Sequence, residues 1–196
     1  MTGSDQPGRR GGPAAPELTL REVFPADDAR VASALYRVGR AAYAVEAELI
    51  GFYEIPPLSE TLADLRALPL RWLAATTARG QVAAFVAWRE CGAEAVGGER
   101  PAGDGARSAR DGDRPARDRT IDIDRVCVDP AWFRRGLATR LLVHLLEELA
   151  PGCDAEVGTG AANTPAMTLY KRLGFVLVDT FEPEPGLRFA RLRLSR

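Results

Sequence analysis

Residues 120–150 constrain the fold of this chain more than any other stretch. The run TIDIDRVCVDP, residues 120–130, alternates apolar and polar side chains like a strand and ends at a proline. The run GLATRLLVHLLEELA, residues 136–150, repeats leucine at helical spacing, which is typical of an amphipathic helix. This part of the chain therefore predicts a strand, a short basic loop and a helix in direct succession.

Ahead of this stretch, the sequence predicts a strand, two helices and a hairpin. The run LTLREVF, residues 18–24, alternates like a strand, and a helix that is either long or broken follows over residues 29–52. Ser59 is placed to cap a second, short helix over residues 61–68. Residues 71–91 then predict two strands around a turn.

Behind the stretch, one more helix lies between strands. Residues 154–160 predict a strand, and Asn163 or Thr164 is placed to cap a helix over residues 165–173. The chain closes with two strands around a turn, which are expected over residues 175–181 and 187–194.

Two segments lack the apolar residues that a core requires. Residues 1–16 and 92–119 are rich in Gly, Pro and polar residues, so we expect a disordered tail and a flexible surface loop. The arginines of the loop alternate with acidic residues, which favours a solvated loop over a nucleic-acid-binding arm. Residues 17–196 are expected to form a single domain that carries this loop as an insertion.

The composition excludes several classes of protein. The net charge of -1 arises from 26 basic and 27 acidic residues, so neither nucleic acid nor an anionic membrane is an expected partner. No apolar run approaches the roughly 20 residues that span a bilayer, and the N-terminus lacks the apolar stretch of a secretory signal, so we expect a cytoplasmic protein. Three widely spaced cysteines and a single histidine predict neither a disulfide framework nor a metal site.

The basic loop has the features of an anion-binding site. In VCVDPAWFRRGLATRLL, residues 126–142, the start of a helix offers backbone N–H groups and the positive end of its dipole. Gly136 lets the backbone approach an oxygen atom, and Arg134 and Arg135 add positive charge. The glycine motifs of P-loops and dinucleotide folds are absent. A diphosphate fits this pattern.

The run 126–138 resembles the acetyl-CoA signature of the GNAT superfamily of N-acetyltransferases, whose core is Q/R-x-x-G-x-G/A after a strand. It departs from that signature at Phe133, where Gln or Arg is usual. The run NTPAMTLYKRLGF, residues 163–175, is similar to the second motif of the family. Both motifs occur in the family's order. The run AAYAVEAELIGFYEIPPLSET, residues 41–61, also resembles a segment of poorly characterised bacterial members, so the resemblance is to the bacterial small-molecule type.

The resemblance implies an α/β fold of the GNAT type, a mixed central sheet that is splayed at an acetyl-CoA cleft and flanked by helices. Acetyl-CoA is then the expected cosubstrate. The strand would pair with its pantetheine arm, the helix start would receive its diphosphate, and Tyr170 would protonate the departing thiolate. The residues expected to bind it are Val126, Cys127, Val128, Arg134, Arg135, Gly136, Leu137, Ala138, Thr139 and Asn163.

The strand 120–128 also carries candidates for the base that deprotonates an amine substrate. Asp124, or Asp122 as second choice, could take the proton directly or through water. An exposed strand carboxylate is the alternative interpretation of each. Cys127 has no histidine placed to activate it, so direct transfer is expected rather than an acetylated cysteine.

Acidic and aromatic residues of the first helices suit a cationic amine. The candidate substrate residues are Tyr43, Glu46, Tyr53 and Glu60, with Glu48 and Glu54 nearby in the sequence. Each glutamate taken alone is more typical of a solvated helix face. A polyamine, an aminoglycoside-like antibiotic and a peptide amine all fit, which leaves open both the acceptor and a role in antibiotic resistance.

Three alternatives to this activity stay open. A non-catalytic acyl-CoA-binding regulatory module would keep the phosphate loop without the chemistry, and another acyl group or acceptor would keep the cosubstrate site. A nucleic-acid-binding protein would use the arginine-rich loop. Many relatives form dimers, so the resemblance also allows a homodimer.

Overall fold

The structure, a computed structural model, describes residues 17–91 and 119–196. One sheet contains, in chain order, β1 (Leu18–Val23), β2 (Arg71–Thr77), β3 (Val82–Cys91), β4 (Thr120–Val128), β5 (Asp154–Gly160), β6 (Val176–Glu184) and β7 (Leu187–Leu194). Across the sheet, these seven strands have the order β1-β2-β3-β4-β5-β7-β6. Neighbouring strands are antiparallel except for β4 and β5, which are parallel. The sheet is therefore mixed, as expected.

Helices cover both faces of this sheet. They are α1 (Ala29–Ile50), α2 (Pro56–Ser59), α3 (Leu62–Ala67), α4 (Leu137–His144) and α5 (Thr164–Arg172). On one face, side chains of α1 and α3 pack against Trp72 and Phe85. On the other, α4 and α5 pack against Leu73 and Trp88. The alternation of side chains along each strand produces these two cores.

Helix α1 is continuous, and its ends have local causes. Its start is capped by Asp28, whose carboxylate accepts hydrogen bonds from the amides of Arg30 and Val31 at 2.8 and 3.0 Å. Its end coincides with Gly51, which adopts a left-handed conformation at φ 70°. A helix of 22 residues results, long enough to cross the sheet.

Strands β4 and β5 separate partway along their length. They pair from Thr120 with Asp154 to Ile123 with Val157, and no further. Beyond that point β4 continues beside β3, whereas β5 continues beside β7 as far as Gly160. The later half of β4 thus has no strand partner on its β5 side among the described residues. This splay is the one that the resemblance implies.

The predicted strands and helices are confirmed in the described ranges, with corrections at their ends. Ser59 was expected to cap a helix, but it ends α2, which Pro56 begins. The cap of α3 is Thr61, whose hydroxyl accepts from the Asp64 amide at 3.2 Å while the Asp64 carboxylate accepts from the Thr61 amide at 2.9 Å. This reciprocal pair makes Thr61 the better cap.

The remaining differences between prediction and structure concern the helix after the basic loop and the two segments that lack apolar residues. The helix predicted over residues 136–150 is α-helical to His144 and continues as a π-helical turn, Leu145–Leu149. The predicted tail, and the predicted loop over residues 92–118, lie outside the described residues. Arg119 is described, and its carbonyl accepts from the Asp154 amide at 3.0 Å. None of the helices in the described ranges is long and apolar enough to cross a membrane.

Candidate active site

A cleft of about 490 Å³ opens where β4 and β5 separate. It lies between α1, the end of β4 and the starts of α4 and α5. Its walls include Ala42, Tyr43, Glu46, Leu49, Val126, Cys127, Val128, Phe133, Arg134, Gly136, Leu137, Ala138, Thr139, Asn163 and Leu169. Nine of the ten predicted cosubstrate-binding residues therefore line one cavity, and the exception is Arg135.

One end of this cleft is built to receive an anion. Helix α4 begins at Gly136, which has φ 72°, and no side chain caps it. The amides of Leu137, Ala138 and Thr139 consequently have no hydrogen-bond partner in the part of the chain that the structure describes. Arg134, itself held at φ 61°, lines the same cleft. Free amides, a helix dipole and a guanidinium together suit a diphosphate.

The residues on either side of Arg134, which are Phe133 and Arg135, place no charged group in the wall of the cleft. The Arg135 guanidinium stacks over the Trp132 ring, with 4.8 Å from its central carbon to the ring centroid. Arg135 itself does not line the cleft, although Trp132 does. Phe133, at the position where the family signature has Gln or Arg, is 41% exposed and lines the cleft. It adds apolar surface where relatives place a polar side chain.

Asn163 is held in place on the β5 side of the cleft. Its side-chain oxygen accepts from the Ala166 amide at 3.2 Å and so caps α5. Its side-chain nitrogen donates to the hydroxyl of Thr159 at 3.2 Å. Because a primary amide nitrogen carries two hydrogens, one donor remains for a ligand.

A second cavity of about 330 Å³ adjoins the first. It lies between the end of α1, α2, β5 and the hairpin of β6 and β7, and Asp124 reaches it from β4. Tyr43 and Glu46 line both cavities. The two spaces therefore meet at these α1 side chains.

The Glu46 carboxylate is fixed at this junction by β5. Its Oε1 atom accepts from the Thr159 hydroxyl at 2.9 Å and from the Gly160 amide at 3.4 Å. Its Oε2 atom makes no hydrogen bond, and no cation pairs with it, within the described ranges. Glu46 thus offers one carboxylate oxygen where the cavities join. Thr159, which positions it, carries no local signal in the sequence and was missed.

Tyr170 lines neither cavity, although it lies close enough to Glu46 and Cys127 for their charges to act on its hydroxyl. It is 4% exposed and packs against Phe175 with 5.8 Å between ring centroids. Burial, followed by the negative charge of Glu46 and by Cys127, raises the pKa of its hydroxyl above the ordinary value of 10.0. The phenol is therefore protonated at neutral pH, as a proton donor must be.

The two predicted aspartates are both engaged by arginines. Asp124 accepts from Arg89 and from Arg125, each at 2.9 Å. Asp122 accepts from Arg89 at 3.0 Å and is not part of either cavity wall. Asp124 does line the second cavity, but both of its oxygens already hold a guanidinium partner. Neither aspartate presents a free carboxylate.

Of the four predicted substrate residues, two line the cavities and two do not. Tyr43 and Glu46 lie at the junction, whereas Tyr53 is 68% exposed and lines neither cavity. Glu60 accepts two hydrogen bonds from the buried Arg125, at 2.6 and 2.8 Å. Its carboxylate therefore links the segment before α3 to β4, and Glu60 lines neither cavity. Glu48 and Glu54 are exposed.

Cys127 lines the cleft, but its thiol is expected to be a poor nucleophile. Its side chain is 1% exposed, and burial raises the pKa of the thiol to about 12. The thiolate is the nucleophilic form of cysteine, so this residue has very little of it at neutral pH. All three cysteines of the chain are free.

Comparison with known proteins agrees with this geometry. A sequence model of the acetyltransferase (GNAT) family matches residues 42–175. A curated relative, UPF0157 protein YqkA of Bacillus subtilis (strain 168), is 26% identical over 160 residues, which are 82% of this chain. The chain spans 39% of the length of that relative.

Solved structures share the fold. The ribosomal-protein-S18-alanine N-acetyltransferase from Escherichia coli has a TM-score of 0.60 and 18% identity, with 92% of this chain and 96% of that one covered. The PaiA N-acetyltransferase from Thermoplasma acidophilum, in complex with coenzyme A, has a TM-score of 0.59 and 12% identity, with 91% and 99% covered. The match over residues 42–175 takes in more than half of the 196 residues, including the last part of α1, the splayed strands and the phosphate loop. The chain belongs to the GNAT acetyltransferase family.

Proposed function

We propose that this chain transfers an acetyl group from acetyl-CoA directly to a primary amine. The observation that carries the proposal is the junction at Glu46, where a cleft with a diphosphate site meets a second cavity. The acceptor classes that the sequence favours are a polyamine, an aminoglycoside-like antibiotic and a peptide amine. Acetyl-CoA supplies an activated thioester, and the protein supplies orientation and proton transfer.

The larger cleft fits the cosubstrate. Free amides at Leu137, Ala138 and Thr139 and the Arg134 guanidinium would hold the diphosphate. The unpaired edge of β4 at Val126–Val128 would accept the pantetheine arm as an added strand, because its backbone groups lack a strand partner on that side among the described residues. The remaining donor of Asn163 would bind the arm from β5.

A base is required because the amine arrives protonated. An alkyl amine has a pKa of about 10.4, so roughly one molecule in 2,500 is neutral at pH 7, a cost of about 4.6 kcal/mol. Glu46 is the preferred proton acceptor, since its Oε2 atom is free and lies where the cavities meet. Asp124 is second, because two arginines already hold its oxygens. Asp122 lines neither cavity.

Tyr170 is the proposed acid. Its hydroxyl would donate a proton to the departing thiolate of CoA. The raised pKa means that the phenol is protonated at neutral pH and that it is a weaker acid than an exposed tyrosine. Cys127 has no part in the transfer because its thiol is buried and protonated.

The test combines turnover with binding. Release of CoA thiol is measured with a panel of amines, and acetyl-CoA binding is measured by calorimetry. Tyr170→Phe should lower kcat by about 10²-fold or more, the low end of general acid catalysis, and leave the Kd for acetyl-CoA within about two-fold. Phe175→Leu, at the ring packed on Tyr170, is the control for altered packing.

Three results would contradict the proposal in different ways. Equal loss of turnover and binding in Tyr170→Phe would assign that residue to packing. Tight acetyl-CoA binding without turnover of any amine would favour a non-catalytic regulatory module. Failure to bind acetyl-CoA would refute the central claim. Gel filtration with light scattering would show whether the chain pairs as a homodimer.

A further inference from the structure

We propose that the acceptor is a small primary monoamine with an apolar body, such as an arylalkyl amine, and neither a polyamine nor an aminoglycoside. This inference rests on the proposed function, because it assigns the second cavity to the acceptor. It follows from the walls, the charges and the size of that cavity.

The walls of the second cavity are mainly apolar. Its apolar side chains are Ile50, Ile55, Pro56, Pro57, Phe181, Pro183, Leu187 and Phe189. Phe181 and Phe189 meet edge to face, with 5.7 Å between ring centroids. Burial of an apolar body against such walls is favourable, and its gain grows with the area covered.

The position of one ring is fixed by a glycine. A Cβ atom at Gly158 would lie 2.2 Å from the Phe189 ring, so this ring rests directly on the backbone of β5. A Cβ atom at Gly160 would lie 2.7 Å from the Ile50 side chain. The absence of side chains at the two glycines lets Phe189 and Ile50 pack directly on the backbone of β5, and all four residues line the cavity.

The charges of the cavity suit one cation. Glu46 has a free oxygen and no cationic partner in the ranges described, and it lies at the inner end beside the cosubstrate cleft. Asp124 has both oxygens bound to guanidinium groups of Arg89 and Arg125, so neither is free for an ammonium group. Glu184 is exposed, and a pair formed there with a second amine would gain little in water. One ammonium group is therefore matched, and further cations are not.

A polyhydroxylated amine fits less well. The Thr159 hydroxyl and the Gly160 amide are already bonded to Glu46, so few polar groups remain to pair with the hydroxyls of an aminoglycoside. Hydroxyl groups buried without partners would weaken binding. A volume of about 330 Å³ is also at the small end for ligand sites, which run from roughly 300 to 1,000 Å³.

The test compares 2-phenylethylamine, 1,4-diaminobutane and kanamycin as acceptors at saturating acetyl-CoA. We expect kcat/KM to be at least about ten-fold higher for 2-phenylethylamine than for either of the others. Phe181→Ala should raise KM for 2-phenylethylamine by about five-fold or more while acetyl-CoA affinity stays constant. Val178→Ala, at an exposed residue of the same strand that lines neither cavity, is the matched control.

Turnover in which the diamine or kanamycin is preferred would overturn the inference and leave the proposed function standing. If no amine is turned over, the proposed function fails, and calorimetry with 2-phenylethylamine then decides the inference. Binding that Phe181→Ala weakens would support the apolar amine site. Equal binding of all three amines, or no binding, would overturn it.

Discussion

The ion pair between Arg125 and Glu60 should be worth more than any other in the described part of this protein. Arg125 extends from β4 and is 8% exposed, and Glu60, 65 residues earlier, is 12% exposed. Two hydrogen bonds of 2.6 and 2.8 Å join them. Replacement of Glu60 by Leu would leave a buried guanidinium with Asp124 as its remaining partner.

The expected loss follows from the cost of leaving a buried charge without its partner. Removal of one member of a buried pair typically costs about 3–5 kcal/mol. Because Arg125 keeps its hydrogen bond to Asp124, the low end applies, about 3 kcal/mol. For a chain of this size, each kcal/mol shifts Tm by roughly 2–4 °C, so Glu60→Leu should lower Tm by about 6–12 °C.

Urea unfolding and thermal scans of the variants measure this loss. Glu22→Leu is the control, because its pair with Arg71 is 38% and 44% exposed and should contribute less than about 1 kcal/mol. Adding Arg125→Met to Glu60→Leu should restore part of the stability, since the buried charge is removed. A loss below about 1 kcal/mol in Glu60→Leu, or no recovery in the double variant, would refute the reasoning.

Three further predictions concern the phosphate site, the thiols and acid stability. Gly136→Val places a β-branched residue at φ 72° and a side chain in the cleft, so acetyl-CoA affinity should fall at least about ten-fold by calorimetry, whereas Gly80→Val, at φ 77° in a turn, should leave it unchanged. The Cys127 thiol, with its pKa of about 12, should not react with a thiol reagent in the native state, so Cys127→Ala should show the same native thiol count as the parent, and a lower count would contradict its burial. The hydrogen bond from Arg193 lowers the pKa of Asp154 below 3.8, so its stabilisation is present above that pH and is lost as pH falls through the lowered value. The destabilisation by Asp154→Asn, measured by urea unfolding, should therefore be larger at pH 6 than at pH values below 3.8 and should shrink as the pH falls further, and a constant difference would contradict it.

Local signals account for what the sequence predicted. Periodicity gave the strands and helices, and the loop before α4 was recognisable because Gly136 and the basic residues beside it are neighbours in the chain. The resemblance at residues 126–138 and 163–175 added the family and the cosubstrate. Each of these features depends on residues that are close together in the sequence, so their physical effect can be judged without knowledge of the fold.

The roles of the carboxylates were decided by tertiary structure. Glu46, Glu60 and Asp124 look alike in the sequence, yet only the packing of α1 over the splayed strands leaves Glu46 without a cation among the described residues, while arginines of β3 and β4 take the other two. Pairing over 65 residues, as between Glu60 and Arg125, has no local signature. The sequence alone thus determined the elements and the anion site, and the fold decided which acid is free, because charge pairing depends on distances that only tertiary packing sets.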